Sequence, residues 1–343
     1  MDRRSFLAAG AALGVMGTGR VATGGWSPAP AMPWPAQEIY AATTGSRILT
    51  AGGLVARQGE PLHIERRVAI LDTTTGRWSE GPMLPQPRHH PMMVADGTGR
   101  TLAIGGYRRG QGGEWVNSLE TWVLEGDSWS SLDPLPRPQA EVVGALLGGR
   151  VHLVTGRSPI SEANGNWPDQ GDVDTHLALD PVTGRWETLK PAPMARNSAA
   201  VAVLDDALWV AGGRTVRGGG TGQLDRYDPV ADRWDTLAPI PVSDSGQQVG
   251  GGLAMGALGG KLVAFGGEWF APGGGGVFPE TWIYDPASDA WTRGPDMMTP
   301  RHGLAAAVVS DRLYAIAGGE VVSGGRAGAT VEVFDFRASV KAR

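Results

Sequence analysis

"RNSAAVAVLDDALWVAGG" at residues 196–213 and "GQLDRYDPVADRWDTLAPIP" at residues 222–241 together hold one complete structural unit. In the first stretch, two apolar runs flank the turn Asp205-Asp206, which is typical of a β-hairpin. The glycine pair Gly212-Gly213 tolerates positive φ or a close backbone approach. In the second stretch, Asp228-Pro229 begins a tight turn, and Trp234 supplies a flat surface that can pack against the next unit. The pattern predicts four antiparallel strands, which we label a to d in chain order.

The same unit recurs along the whole chain. Its tryptophans are 48 to 57 residues apart, at Trp26, Trp78, Trp129, Trp186, Trp234 and Trp291. Glycine pairs end the second strand of five units, and Thr155-Gly156 is a degenerate sixth copy. This spacing resembles the kelch repeat, whose unit folds as one four-stranded blade of a β-propeller. The resemblance implies an all-β protein, a six-bladed kelch β-propeller.

The two ends of the chain predict how the ring closes. The last unit, "RHGLAAAVVSDRLYAIAGG" at 301–319 followed by "ATVEVFDF" at 329–336, supplies strands a to c and no tryptophan strand. The stretch "GGWSPAPAMP" at 24–33 is a strand d with no unit in front of it. We therefore expect this N-terminal strand to complete the C-terminal blade, because closure removes an open sheet edge.

Residues 1–23 are predicted to be a targeting segment, and 24–343 a single propeller domain. Arg3-Arg4 precede Ser5-Phe6-Leu7 and a short Ala/Gly-rich apolar stretch, which resembles the bacterial twin-arginine (Tat) signal. The resemblance implies a folded protein exported to the periplasm or secreted. No other stretch is apolar enough for a membrane helix, so we expect no membrane contact after cleavage.

Composition narrows the possible functions. The chain of 343 residues contains 53 glycines, 25 prolines and 13 tryptophans, with a net charge of −5 and no cysteine. The acidic balance argues against a nucleic-acid partner, and the lack of cysteine excludes disulfides and a thiol nucleophile. We predict no cofactor and no metal, because no HxH or HExxH spacing exists and adjacent histidines on a strand point apart.

The strand order places the d–a and b–c connections on one face of the ring. The b–c loops differ from blade to blade, and such loops commonly carry binding sites. The residues that open each strand a are expected to surround the mouth of the central channel there. The candidates are Glu38, Arg88, His89, Gln139, Glu141, Arg196, Asn197, Arg301 and His302.

These arginines allow two interpretations. Kelch domains that bind peptides or sugars use this face, and arginines at this position are among the binding residues of some of them. Because guanidinium groups suit carboxylates and phosphates, the resemblance implies an anionic or polyhydroxylated ligand. The alternative is that the arginines belong to the repeat and satisfy backbone carbonyls.

Tryptophans outside the repeat fall into two groups. Trp122, Trp209 and Trp282 lie in apolar strand runs and are expected in the core. Trp115, Trp167 and Trp269 fall in b–c loops, where an indole can stack on a sugar ring or cap its own loop.

Two enzyme families share this architecture. Galactose oxidase-like copper enzymes need a tyrosine crosslinked to a cysteine, which this chain cannot form. The periplasmic sialic-acid mutarotases are six-bladed kelch rings, and "GGEVVSGGR" at 318–326 resembles the run that holds their Glu/Arg pair. That resemblance implies Glu320 as acid/base and Arg326 as carboxylate clamp.

The sequence predicts a binding module that acts as a monomer and binds a glycan or an acidic small molecule or peptide. A cofactor-free sugar epimerase or mutarotase and a protein–protein interaction scaffold remain the alternatives.

Overall fold

The protein is a closed ring of six antiparallel blades. The structure, a computed structural model, describes residues 24–55, 62–165 and 167–336, with only the backbone of Trp167. The targeting segment predicted at 1–23 lies outside the described residues. Strand a of each blade contacts strand a of the next, including Ala305–Val309 of the last blade against Ala41–Thr44 of the first. The six-bladed all-β propeller predicted from the repeat is therefore confirmed.

Each blade is a four-stranded sheet with its strands in the order a, b, c, d. Blade 1 consists of Ala41–Thr44, Arg47–Ala51, Val68–Asp72 and Arg77–Gly81. Blade 2 consists of Met92–Ala95, Thr101–Ile104, Thr121–Glu125 and Ser128–Ser131. Blade 3 consists of Val143–Leu147, Arg150–Val154, His176–Leu179 and Trp186–Thr188.

The remaining blades continue the pattern. Blade 4 consists of Ala200–Leu204, Ala207–Ala211, Leu224–Asp228 and Arg233–Leu237. Blade 5 consists of Gly251–Leu258, Lys261–Ala271, Thr281–Asp285 and Ala290–Arg293. Blade 6 consists of Ala305–Val309, Arg312–Gly319, Ala327–Asp335 and the N-terminal strand Gly25–Ala29.

The b–c loops of four blades form short hairpins on one face. Three of them pair Leu54–Val55 with His63–Ile64, Tyr107–Arg109 with Trp115–Asn117, and Arg157–Pro159 with Gln170–Asp172. The fourth pairs Gly274–Val277 with the end of Lys261–Ala271, and a 3-10 turn spans Trp167–Asp169. Within the described residues, no helix is long and apolar enough to cross a membrane.

The N-terminal strand closes the ring as expected. Its residues pair antiparallel with the last strand, with Trp26 opposite Phe334. The Trp26 indole also contacts Phe265 of blade 5 edge-on, at a centroid distance of 5.0 Å, and its Nε1 donates to Thr281 Oγ1 at 2.9 Å. Both ends of the chain therefore hold the seam between blades 5 and 6.

The repeat tryptophans join each blade to the preceding blade, and not to the next as the sequence suggested. Trp78 Nε1 donates to the carbonyl of Pro30, and Trp129 Nε1 to that of Pro82, both at 2.8 Å. Trp186, Trp234 and Trp291 make the equivalent bond in their blades. The acceptor always lies just after the preceding strand d, so the indole covers the seam on that side.

The glycine pairs are required by close backbone contacts. Gly52 has φ +68°, and a Cβ there would lie 2.0 Å from the carbonyl oxygen of Arg88 in the next blade. A Cβ on Gly53, at φ +100°, would lie 2.8 Å from the carbonyl oxygen of Gln37 in the same blade. The absence of side chains at this pair therefore lets the end of strand b pass between the segment that precedes strand a of its own blade and the one that precedes strand a of the next blade.

A buried histidine pair lies between blades 3 and 4. His152 Nδ1 is 2.8 Å from His176 Nε2, and both rings lie near the ring of Tyr227. Burial lowers the pKa of each histidine to about 4, and the neighbouring positive groups add to the effect. Protonation of either histidine is therefore unfavourable in the folded protein, and acidification is expected to destabilise this contact between the blades.

Candidate functional site

A cavity of about 480 Å³ opens at the channel mouth on the predicted face. Its wall combines residues that open strand a, such as Glu38 and Glu141, with residues of the b–c loops, such as Arg157, Arg214 and Glu268. A cavity of this size matches the volume range of small-molecule sites. The two kinds of connection thus meet in one site.

A belt of six residues closes the channel beneath the cavity. Each blade contributes the residue that lies two positions after the site of Arg88, Arg196 and Arg301 in the repeat. All six of these residues have positive φ: Glu38, His90, Glu141, Ser198, Gly252 and Gly303. Backbone hydrogen bonds link neighbours around the belt, for example from the His90 N–H to the Glu38 carbonyl at 2.9 Å. The space inside is about 10 Å³, room for no more than one water.

The left-handed conformation of the belt is unusual for the residues that adopt it. Non-glycine residues are uncommon there, and strained backbone tends to accumulate at functional sites. Here four of the six positions keep a polar side chain, while a Cβ at Gly303 would lie 2.7 Å from the Glu38 carboxyl carbon. Glycine at one position therefore makes room for the carboxylate at another.

A second ring of site residues directly follows the glycine pairs. Tyr107, Arg157, Arg214 and Glu268 hold this position in blades 2 to 5 and line the cavity. None of the four was among the residues predicted from the sequence. The sequence signal that could have found them is the glycine pair, or Thr155-Gly156 in blade 3. Each of the four residues directly follows this pair, where the chain turns toward the channel.

Carboxylates and guanidinium groups from different blades neutralise one another across the cavity. Glu141 is 3.0 Å from Arg157 Nη1 and 3.5 Å from Arg214 Nη2, while Arg214 Nη1 is 2.6 Å from Glu268 Oε1. Burial alone would raise the pKa of Glu141 and lower that of Arg214, but the ion pairs reverse both directions. Glu141 and Arg214 are therefore held in their charged forms.

The histidines next to Glu38 carry different numbers of protons. His90 Nε2 is 2.6 Å from Glu38 Oε2, and this ion pair overcomes burial to raise the pKa of His90 and lower that of Glu38 to about 2. The His90 Nδ1 lies 2.9 Å from His89 Nδ1. Because burial and the His90 charge hold the pKa of His89 well below its usual value, His90 donates and His89 accepts.

The contact between these two rings corrects a sequence expectation. Adjacent histidines on a regular strand would point apart, but His90 has φ 53° and lies at the belt. The left-handed turn brings the two rings together, with centroids 5.1 Å apart. His89 also stacks on Tyr107 and meets Trp115 edge-on at 4.4 Å.

Aromatic side chains form two parts of the cavity rim. Tyr107 and the half-buried Trp115 lie in the blade 2 hairpin, and Phe270 in the blade 5 hairpin is 54% exposed. The Tyr107 hydroxyl donates to Glu141 Oε1 at 2.9 Å. The cavity therefore offers aromatic faces beside charged hydrogen-bonding groups.

The three predicted arginines lie inside the blades and do not line the cavity. Arg88, Arg196 and Arg301 are fully buried. Arg196 Nη1 is 2.7 Å from Asp225 Oδ2, and Arg301 Nη1 is 2.9 Å from Glu332 Oε1, each within its own blade. Because these side chains pair with carboxylates or carbonyls of their own blades, the structure favours the alternative that they belong to the repeat over their expected role in ligand binding.

Other predicted residues divide between the cavity and its surroundings. Glu38, His89, Glu141 and Trp115 line it. Gln139 instead bonds Thr175 within blade 3, and Asn197 bonds Asp172 and Arg214 beside the wall. His302 is buried behind two of the carboxylates. The side chain of Trp167 lies outside what the structure describes.

Trp269 covers its own hairpin. Its indole packs over the glycine run, where a Cβ on Gly276 would lie 2.8 Å from Trp269 Nε1. The adjacent Phe270 points to the cavity instead. The expected stacking platform in blade 5 is thus displaced by one residue.

Glu320 and Arg326 are absent from the cavity wall. In blade 6 the left-handed pair is Ala317-Gly318, with φ 54° and 105°, so Gly319 takes the position that Glu268 holds in blade 5. Glu320 is half-buried, and its N–H donates to the carbonyl of the exposed Arg326 at 3.1 Å. The resemblance of "GGE" in the two blades therefore hides a shift of one residue.

Comparison with known proteins agrees with this architecture. A model described as "Kelch motif" matches residues 195–241 and 250–298, which are the regions of blades 4 and 5. The solved structure of YjhT is similar, with a TM-score of 0.74, 17% sequence identity and coverage of 89% of this chain and 96% of that one. The protein is thus a six-bladed β-propeller with kelch motifs, a fold consistent with a binding or interaction scaffold.

Curated relatives are kelch proteins of different lengths. Kelch-like protein terF of Aspergillus terreus is 26% identical over 91% of this chain and 68% of its own length. Kelch-like protein 34 of Homo sapiens is 30% identical over 55% of this chain and 27% of its own length. Kelch repeat and BTB domain-containing protein 12 of Danio rerio is 28% identical, and this chain spans 29% of it.

Proposed function

We propose that this protein binds a carbohydrate, or a similarly polyhydroxylated small molecule, in the cavity at the channel mouth. The observation that carries the proposal is the composition of the cavity wall. Trp115 and Phe270 stand beside three carboxylates and two guanidinium groups from different blades. Aromatic faces suit the C–H face of a sugar, and paired charges accept and donate to its hydroxyl groups.

The charges on the wall are nearly balanced. Glu38, Glu141 and Glu268 face Arg157, Arg214 and the charged His90. A polyhydroxylated ligand can bond to such groups without leaving a buried charge unpaired. The repeat arginines do not contribute, because their guanidinium groups are taken up inside the blades.

The test is titration of the protein with galactose and galacturonate, followed by calorimetry. We expect Trp115→Ala to weaken binding by about 10- to 100-fold, because a buried aromatic contact is worth about 1.4–3 kcal/mol at a binding site. Trp186→Ala is the matched control, since this tryptophan is also half-buried but lies on the outer strand of blade 3. Equal affinity of both variants, or no binding of either sugar, would refute the proposal.

A second candidate, cofactor-free sugar mutarotation, is favoured by the Glu38–His90 pair. A carboxylate 2.6 Å from an imidazolium at the cavity can move a proton on and off a hemiacetal. NMR exchange spectroscopy of sugar anomers tests it. We expect Glu38→Gln to abolish any catalysed exchange and Glu320→Gln to leave it intact; exchange at the buffer rate with wild-type protein removes this candidate and leaves binding.

We also propose that the protein works outside the cytoplasm as a monomer, in the periplasm or secreted. The proposal rests on the twin-arginine pattern at Arg3-Arg4. Replacing both arginines with lysine should retain the protein in the cytoplasm, as fractionation with an immunoblot would show, while export of that variant would contradict it.

A further inference from the structure

A second cleft lies on the face opposite the channel mouth, at the seam where blade 6 meets blade 1. Its volume is about 270 Å³. The c–d turn of blade 1 forms one wall, and strands b to d of blade 6 form the other. The cleft shares no lining residue with the cavity at the channel mouth, so the two are separate sites.

This cleft exists because blade 1 departs from the repeat at two positions. In blade 5, Tyr284 stands directly before the c–d turn, and its hydroxyl donates to Asp289 inside the turn at 2.7 Å. Blade 4 has the same tyrosine and aspartate. In blade 1 these positions hold Leu71 and Gly76. The groups that fill the seam in front of blade 5 are therefore missing in front of blade 1, and space is left there.

Tyr314 supplies an unused hydrogen-bonding group to the cleft. Its ring packs in the apolar core between blades 6 and 1, and the residue is only 5% exposed. Within the part of the chain that the structure describes, its hydroxyl forms no hydrogen bond. Other hydroxyls of the cleft are occupied, because Thr73 donates to the Ser46 carbonyl at 2.8 Å and Ser27 to the Val333 carbonyl at 3.4 Å. A buried hydroxyl without a partner is a group that a ligand can satisfy.

Arg312 supplies a positive charge beside this hydroxyl. It begins strand b of blade 6, two residues before Tyr314, so the two side chains lie on the same face of the strand. The first residue of strand b, or the one just before it, is also basic in blades 2, 3 and 5, where it pairs with an acid of its own blade: Arg100 with Asp96, Arg150 with Glu187, and Lys261 with Asp285. Among the described residues, Arg312 has no such ion pair. Its guanidinium group is therefore available to a ligand.

The positive charge in the cleft has no acid beside it. Asp311 and Asp335 border Arg312 from a neighbouring, wider cleft, but within the described chain Arg312 pairs with neither of them. None of the residues that line the narrower cleft is acidic. The rest of its wall is largely apolar, with Pro28, Pro30 and Leu71 among the lining residues.

We propose that this cleft binds a small carboxylate with an apolar body. The guanidinium group of Arg312 and the hydroxyl of Tyr314 donate to the carboxylate oxygens, which are the acceptors that a guanidinium fork suits. The apolar wall contacts the body of the ligand. Because the volume lies just below the range of about 300–1,000 Å³ for small-molecule sites, the body is limited to the size of a single ring. The proposal does not depend on carbohydrate binding at the other face.

The test is an NMR titration of the nitrogen-15-labelled full chain with phenylacetate at pH 7. We expect a dissociation constant of about 1 mM, which is typical of so small a ligand, with amide shifts at Thr73, Gly76 and Tyr314. The uncharged 2-phenylethanol, and phosphate, which has no apolar body, should each bind at least about tenfold more weakly. No shift at these three residues, or equal affinity for phenylacetate and either of the other probes, would overturn the proposal.

Two substitutions test the donors one at a time. Tyr314→Phe removes the hydroxyl and keeps the ring, and Arg312→Gln removes the charge from an exposed side chain. Each should weaken phenylacetate binding by about tenfold or more, as expected for a hydrogen bond to a charged group. Tyr284→Phe and Arg150→Gln are the matched controls, because their polar groups are already bonded within their own blades. Wild-type affinity in Tyr314→Phe or in Arg312→Gln would contradict the assignment of that donor.

Gly76→Asp tests the site by restoring the residue of the repeat. Asp232 and Asp289 adopt φ 44° and 47° at the same position, so an aspartate tolerates the left-handed backbone of Gly76, which has φ 67°. The new carboxylate would stand in the cleft and repel that of the ligand, so we expect binding to be lost while Tm is retained. Gly184→Asp makes the same change in the c–d turn of blade 3, outside the cleft, and should leave the affinity unchanged. Phenylacetate binding by Gly76→Asp as tight as by Gly184→Asp would show that the ligand does not occupy this cleft.

Discussion

Replacement of Trp26 with alanine tests the closure of the ring. The indole is half-buried and lies edge-on to Phe265 and Phe334, with centroid distances of 5.0 and 5.2 Å. Its Nε1 also donates to Thr281 Oγ1 at 2.9 Å. Three elements from two blades therefore depend on one side chain of the N-terminal strand.

The expected loss follows from these contacts. Exposure of about 100 Å² of apolar surface costs about 2.5 kcal/mol. The two ring contacts and the hydrogen bond each add about 0.5–1 kcal/mol. The total of about 4–5.5 kcal/mol is close to the range of about 3–5 kcal/mol for truncation of a buried tryptophan. For a domain of this size, it corresponds to a fall in Tm of about 6–8 °C.

The assay is thermal unfolding together with amide hydrogen exchange. Trp26→Ala should speed exchange in the partner strand Ala327–Asp335, because that strand would become the edge of its blade. Trp186→Ala is the control, since its indole makes a single bond to the Asp133 carbonyl within the continuous part of the ring. Removal of residues 24–33 with no change in Tm, or equal exchange in the partner strand, would refute closure by the N-terminal strand.

Three further predictions concern stability. Arg301→Met should cost about 3–5 kcal/mol in denaturant unfolding, because it leaves the Glu332 carboxylate buried without its partner, and addition of Glu332→Gln should recover part of that loss. The pKa values of His152 and His176 are lowered in the folded protein, so the unfolded chain binds more protons between pH 6.5 and 4. The free energy of unfolding should therefore fall by about 3 kcal/mol per histidine on acidification through this range. If the free energy of unfolding of His176→Phe depends on pH as steeply as that of the wild-type protein, the argument is contradicted. Gly52→Ala should cost more than about 2 kcal/mol, since its Cβ would meet a backbone oxygen, while Gly45→Ala, at φ +59° with open space around it, should cost only about 1 kcal/mol.

The sequence could predict the ring because the repeat spans the whole chain. The tryptophan spacing gives the number of blades, and the missing last strand together with "GGWSPAPAMP" at 24–33 gives the closure. The sharing of one face by the d–a and b–c connections follows from antiparallel order alone. These features depend on chain topology, so the identity of individual side chains matters little.

The site could be predicted only in part, because it depends on local backbone conformation. Arg301 and His302 are neighbours in sequence, yet the first turns into the blade and the second lies behind the cavity. Glu268 and Glu320 both follow Gly-Gly, but the left-handed pair in blade 6 begins at Ala317. A shift of one residue exchanges a wall residue for a loop residue, and composition does not reveal it.

The carboxylates of this protein form two groups, one in the repeated turns and one at the cavity, and the two groups have different kinds of partner. Asp72, Asp180 and Asp228 recur at the c–d turns, and each accepts hydrogen bonds from the backbone two residues later in its own turn, for example from Val182 N–H to Asp180 Oδ1 at 2.8 Å. These aspartates stabilise their own blades on the face opposite the cavity.

Glu141 and Glu268 differ from these aspartates because they interact across blades. Glu141, from the start of blade 3, accepts from Ser198 at 2.5 Å and pairs with Arg214, both contributed by blade 4. Arg214 in turn reaches Glu268 of blade 5. The turn aspartates are satisfied within their own blades, whereas Glu141 and Glu268 also need partners from neighbouring blades. These departures from the repeat meet at the channel mouth, where side chains of several blades come within reach of one another, and this is the reason that the proposed binding site is located there.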